Sequence, residues 1–158
     1  MNIKNIMILN RLFGNKVVHV EAPHLTKNKL LEHIKKYKSK CYCICPVNYD
    51  FVKAEYWLDI DKKTYAKFLK DFYLKLKAEG ADLQPHVHLT QISGALPKKI
   101  REERIKKAYS FFKNELGITP KEMAFGWYQY DDFSEQLVKK MNMKIILPHY
   151  HIYDWWLL

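Results

Sequence analysis

Apolar and polar positions along the chain switch repeatedly between a period near two and a period near 3.6, and the switching predicts the elements. KVVHVEAP (16–23) opens with β-branched residues and stops at a proline, which predicts a short strand and then a loop. Leu30, Leu31 and Ile34 recur at helical spacing in LLEHIKKY, with Thr26 placed to cap that helix. KCYCICPV (40–47) is a continuous apolar run ended by a proline, as expected of a buried strand. Asp59 or Asp61 is placed to start a helix through TYAKFLKDFYLKLKAEG, which Gly80 ends. ADLQPHVHL follows as a third strand, TQISGALP as a loop, and residues 98–116 as a helix stopped by Gly117. KEMAFGWY (121–128) is a fourth strand, DDFSEQLVKKM a fourth helix and MKIILPHYHIY a fifth strand, with IKNIMIL (3–9) available as a sixth.

Strand and helix therefore alternate within one domain, residues 1–158, and the connections suit only parallel pairing. In parallel α/β folds, sites gather at the carboxyl ends of strands. Three strand ends here carry a polar pair at period two: His19/Glu21 in HVE, His86/His88 in HVH and His149/His151 in HYH. That period puts both members of a pair on one side of the sheet. A sheet curling into a barrel would bring all three pairs to one mouth. Any single pair is read most simply as hydrogen-bonded histidines. Three at equivalent positions point toward a divalent metal, because zinc and similar ions take imidazole and carboxylate ligands and leave a position for water.

Four stretches carry a family resemblance: HVEAPHLTKNKLLEHIKKYKSKCYCICPV, GADLQPHVHLTQ, ELGITPKEMAFGWYQYDD and IILPHYHIYDWW. Their order and layout resemble the polysaccharide deacetylases of carbohydrate esterase family four, the NodB-homology domain. Those proteins carry T-F-D-D-G-P, H-[ST]-x-x-H, L-G-x-x-P leading to F-R-P-P-Y, and D-x-x-D-W in this order. The resemblance implies an α/β fold, a partial, distorted (β/α) barrel that lacks the last barrel strands. It implies a metal-dependent hydrolase removing acetyl groups from an N- or O-acetylated carbohydrate, with zinc as the expected metal. Glu21 falls on the second Asp of the first motif and His86 on the first metal histidine. Thr90 stands where the second histidine belongs, and His88 is its nearby substitute, so Glu21, His86 and His88 are the expected ligands.

The departures reshape the rest of the site. Val20 occupies the place of the catalytic base, Gly126 that of the Arg, and the final L-x-H motif has no counterpart. His149 and His151 are then expected to move protons, with Asp154 orienting a histidine; Glu21 remains open as either ligand or general base. Trp127, Tyr128 and Trp155 are expected to line the substrate, and Trp156 to pack under a helix.

Composition changes this picture only at its margins. Of 158 residues, 48% are apolar and 15% aromatic, which excludes a disordered chain. No run approaches the length of a spanning helix and no leader is evident, so the expected compartment is the cytoplasm. The net charge of +10 favours anionic partners, but the lysines lie along helices with acidic residues interleaved and no nucleic-acid motif accompanies them. Cys41, Cys43 and Cys45 would share one face of a strand as small buried side chains rather than form a zinc knuckle or a disulfide framework. An open barrel leaves sheet edges that a homodimer would cover. Two other readings stand beside the hydrolase: a catalytically degenerate glycan-binding or interaction module on the same scaffold, and a basic nucleic-acid-binding protein.

Overall fold

The structure, a computed structural model, describes residues 17–55, 58–91, 94–146 and 152–154. β1 (Val17–Val20) leads into α1 (Pro23–Tyr37), and β2 (Lys40–Ile44) into a short 3-10 turn and α2 (Tyr49–Glu55). α3 (Lys62–Ala78) precedes β3 (Asp82–Val87). A small antiparallel hairpin, β4 (Thr90–Gln91) with β5 (Gly94–Ala95), separates β3 from α4 (Lys98–Ser110), which runs on through a π-helical turn at Phe111–Glu115. β6 (Glu122–Phe125), α5 (Asp132–Lys140), β7 (Lys144–Ile145) and β8 (Ile152–Tyr153) follow. No helix among the described residues is long and apolar enough to cross a membrane.

Local chemistry explains most element ends. Asp61 caps α3 by accepting from the amides of Lys63 (2.9 Å) and Thr64 (3.0 Å), and Asp131 caps α5 by accepting from Ser134 N (3.0 Å). Gly80, at φ +90°, turns the chain after α3 as only glycine does cheaply. α1 departs from expectation. Pro23 starts it three residues ahead of Thr26, because a proline needs no N–H partner in the first turn. Thr26 therefore sits inside that turn instead of capping it, and its hydroxyl proton lies between Asp154 Oδ2 (2.7 Å) and the longer contact to Ala22 O (3.1 Å). Helix α2 and the β4–β5 hairpin are further differences, since both lie in stretches without clear periodicity.

Six parallel strands form one sheet in the order β7-β6-β3-β2-β1-β8, flanked by helices, and the sheet is not closed among the described residues. Its two edges nevertheless come from a single stretch of chain: Lys144 pairs with Glu122 of β6, and Ile152 with Val18 of β1. MKIILPHYHIY is thus two short strands on opposite edges rather than one. A staggered segment that touches both edges is how a tilted sheet approaches barrel closure. Residues 147–151 between them lie outside the described residues, as does the strand expected at 3–9.

Alternation along the strands separates two faces. On the outer face Val18, Val20, Cys41, Cys43 and Leu83 pack with Leu30 and Ile34 of α1 and with Tyr65, Leu69, Tyr73 and Leu76 of α3. Cys45, Val87, Met123 and Phe125 meet Ile105 and Ala108 of α4 and Val138 of α5. Each large side chain buried here contributes roughly 1.5–3 kcal/mol. The three cysteines are free and fully buried, as the strand reading expected, and burial pushes the Cys45 thiol up to about 12 and holds the other two well above the usual thiol range. They are packing groups rather than nucleophiles.

The inner face carries most of the polar strand residues. His19, Tyr42 and Gln84 stand in register across β1, β2 and β3, and Ile44, His86 and Ala124 across β2, β3 and β6. At its base Glu122 Oε2 accepts from Tyr42 OH (2.8 Å) and Lys40 Nζ (2.9 Å), while Gln84 Oε1 accepts from the amides of Lys121 (3.0 Å) and Glu122 (3.1 Å). Burial opposes ionisation of Glu122, but its two donors hold the carboxyl below its usual range. With the lower layer satisfied in this way, the groups above it are held toward the carboxyl ends of the strands. Outside, part of the positive charge is balanced on the helices themselves through Lys67–Asp71, Lys106–Glu102 and Lys139–Glu135 pairs at i,i+4.

Candidate metal centre

The carboxyl ends of β1 and β3 place His19, Glu21 and His86 on the inner face, each nearly inaccessible to solvent. One ligand atom from each of the three lies within 4.8 Å of the others. His19 Nδ1 and His86 Nδ1 face each other at 3.2 Å. That contact is a hydrogen bond if one ring carries the Nδ1 proton, and two converging lone pairs if neither does. Zinc–nitrogen bonds of ~2.05 Å at a tetrahedral angle require an edge of about 3.3 Å, so the two imidazoles are already spaced for one ion. The carboxylate completes a buried set of two nitrogens and one oxygen, a donor chemistry suited to zinc or a similar divalent metal. Asn48 on the turn after β2 donates to His86 O (3.2 Å) and fixes the strand end that presents the second imidazole.

His88 lies beside this group. Its Nε2 is 3.8 Å from Glu21 Oε1, the same separation as His86 Nε2 from that oxygen. The ring stacks on His86 (centroids 4.8 Å, 20°) and more closely on Phe51 of α2 (3.8 Å, 23°), with the Trp127 ring edge-on at 5.1 Å. Neither ring nitrogen of His88 makes a hydrogen bond among the described residues. Burial, reinforced by the Arg104 guanidinium, lowers its pKa to about 3, so the ring is neutral near neutral pH. Arg104 also donates to His88 O (2.8 Å). Beneath the ring lies Gly126, where a β-carbon would come within 2.1 Å of His88 Nδ1. Gly126 is therefore matched to His88.

Asp154 is fully buried beneath Glu21. Its carboxylate accepts from Glu21 N (2.8 Å), Ala22 N (3.1 Å) and the Thr26 hydroxyl (2.7 Å), so it holds the turn between β1 and α1. The residue thereby positions the backbone that carries Glu21. Val20, which the resemblance sets at the place of a base, is buried in the outer apolar core, opposite the face that carries Glu21. No proton-accepting group is available from that position.

Trp127 and Tyr128 stand half-exposed on the turn after β6. Both have left-handed backbone, with φ of 51° and 57°, which costs on the order of 1–3 kcal/mol each in bulky residues. Tyr128 OH meets Tyr153 OH at 2.7 Å, linking the end of β6 to β8 on the far edge of the sheet. Of the residues singled out in the sequence, the structure brings Glu21, His86, His88, Trp127 and Tyr128 to one end of the sheet and puts Asp154 just behind them. His149, His151, Trp155 and Trp156 lie outside the described residues. The structure places His19 with Glu21 and His86 in a group that could hold a metal ion, and the HVE pair signalled it because His19 shares the face of Glu21. Phe51 and Tyr153 carry no comparable sequence signal, since nothing in their spacing marks them as neighbours of the histidines.

No protein-family model matches the sequence, and no curated protein matches it at a significant level. Solved structures with the same fold include the deacetylase PplD of Streptococcus pyogenes in complex with acetate, at 14% identity and a TM-score of 0.55 over 80% of this chain and 51% of that one. They also include BA3943, a CE4 family pseudoenzyme from Bacillus anthracis, at 11% identity and a TM-score of 0.56 over 84% of this chain and 43% of that one. A mutant of this pseudoenzyme with restored enzymatic activity gives 10% identity and a TM-score of 0.58, covering 82% of this chain and 42% of that one. The chain spans about half the length of the solved structures it matches. At these identities the likeness establishes the fold, that of CE4 deacetylases and pseudoenzymes, in agreement with the resemblance read from the motifs.

Proposed function

We propose that the chain is a metal-dependent hydrolase that removes acetyl groups from an N- or O-acetylated carbohydrate, with zinc held by His19, Glu21 and His86. The observation that carries this reading is the convergence of these three side chains, from two strand ends, on one buried point. A divalent ion bound there would polarise an acyl oxygen and make water acidic enough to ionise near neutral pH. The chain's own groups do the rest. Asp154 anchors the backbone of Glu21, and the neutral His88 ring keeps its Nε2 toward the Glu21 carboxylate. Trp127 and Tyr128 offer aromatic faces for a sugar ring and its acetyl methyl, and Trp155 remains a candidate substrate contact by its place in the sequence. Val20 contributes no base, so proton transfer falls to His149 or His151, or to Glu21 if it acts on water rather than as a ligand.

Acetate release from N-acetylated chitooligosaccharides and O-acetylated xylan tests the reading directly. Zinc-loaded protein is expected to release acetate, chelation to stop it, and His86→Ala to reduce it ~10²-fold or more. No release from any acetylated glycan by the zinc-loaded protein would contradict the hydrolase. Glycan binding without release would establish the second reading, a binding module, which one observation favours: among the proteins with this fold is a pseudoenzyme.

A further inference from the structure

The turn after β6 holds two consecutive aromatic residues in left-handed backbone, a conformation that neither side chain favours. What the turn achieves is visible at its end: it brings Tyr128 OH to 2.7 Å from Tyr153 OH, beside the candidate metal centre. The Tyr153 ring lies 5.3 Å from His19 by centroids and the Tyr128 ring 6.4 Å. Two phenols in contact hold two O–H protons, and the bond between them uses one. Either hydroxyl can donate in this contact, and when Tyr153 donates, the Tyr128 proton is left for a third group, on a side chain 41% exposed.

We propose that Tyr128 and Tyr153 form a phenol dyad whose outward O–H donates to the carbonyl oxygen of the acyl group being hydrolysed. The proposal rests on the hydrolase reading above. Attack of water forms a bond from its oxygen to the carbonyl carbon and moves the C=O π pair onto the carbonyl oxygen, where the dyad's proton meets the developing charge. On collapse the pair re-forms C=O, and the C–N or C–O bond breaks with its electrons on the leaving nitrogen or oxygen. That atom takes up the proton lost by the water, and acetate departs. A donor fixed in advance at the point where charge develops is among the larger single contributions an acyl-transfer site can make. The second phenol orients the first and, by donating to it, makes its O–H a better donor.

Tyr128→Phe and Tyr153→Phe keep the rings and remove the hydroxyls. In zinc-loaded protein, Tyr128→Phe is expected to lower kcat by ~10²-fold with KM changed less than about threefold. Its melting temperature should move by no more than about 2 °C. Binding of acetate, followed by saturation-transfer NMR, should weaken by about tenfold. Tyr153→Phe should give a smaller loss of the same kind. Unchanged kcat and acetate affinity in Tyr128→Phe would overturn the proposal, as would a fall in activity matched by a large fall in melting temperature, which would make the pair a structural clasp. If the wild type releases no acetate, the hydrolase reading fails and the acetate-binding arm decides alone: a tenfold loss in Tyr128→Phe supports the donor role. Unchanged affinity, or no acetate binding by the wild type, overturns it.

Discussion

Gly126→Ala is expected to cost about 3 kcal/mol of stability, near the upper end for adding one carbon to a packed interior. The added β-carbon would sit 2.1 Å from His88 Nδ1 and 2.3 Å from its Cε1. The ring has little room to retreat, because Phe51 stacks on it at 3.8 Å, His86 lies parallel at 4.8 Å and Trp127 closes the edge at 5.1 Å. The strain therefore passes into His86 and Glu21, and metal affinity should fall with stability. Removing the ring removes the conflict: the Gly126→Ala/His88→Ala double variant should be more stable than Gly126→Ala alone, a coupling of at least about 1.5 kcal/mol of opposite sign to simple additivity. Denaturant titration of the four proteins measures it, and additive losses would show that His88 does not fill the space above Gly126.

Asp154→Ala should cost about 3–5 kcal/mol, because it removes a buried, hydrogen-bonded carboxylate on which two amides and a hydroxyl converge. Glu21 N, Ala22 N and the Thr26 hydroxyl all converge on it at 2.7–3.1 Å. For a chain of this length that loss lowers the melting temperature by roughly 10 °C. Asp154→Asn keeps the volume but presents an NH₂ group to a turn made of donors, so it should recover less than half of the loss. Thr26→Val removes one donor while leaving the carboxylate bonded to the two amides, and should cost about 1 kcal/mol. A melting temperature unchanged by Asp154→Ala would show that the β1–α1 turn does not depend on this acceptor.

Much of this arrangement is legible in the chain before any coordinates. The alternation of β-branched runs with 3.6-period helices predicts a parallel α/β fold, and period two puts Glu21 on the face of His19 and His88 on the face of His86. His19 is legible by the same rule, yet assigning it to the candidate group requires knowing that its Nδ1 lies 3.2 Å from His86 Nδ1. Such a distance depends on the register between β1, β2 and β3, which no local pattern encodes. Asp154 shows the same limit. Its sequence context marks it as polar among aromatics, whereas its partners lie more than 120 residues away along the chain. The split of MKIILPHYHIY between two sheet edges is likewise a property of the curling sheet rather than of the segment. Tyr153 and Phe51 gain meaning only from rings that tertiary structure places against them.

Zinc binding by chelator-stripped protein, measured in competition with a chromophoric zinc indicator, tests the metal centre most directly. One zinc per chain is expected, with His19→Ala and His86→Ala each weakening it on the order of 100-fold or more and His33→Ala, on α1, leaving it unchanged. Failure to bind zinc stoichiometrically, or equal affinity in the His19 and His86 variants, would contradict a site built from these side chains.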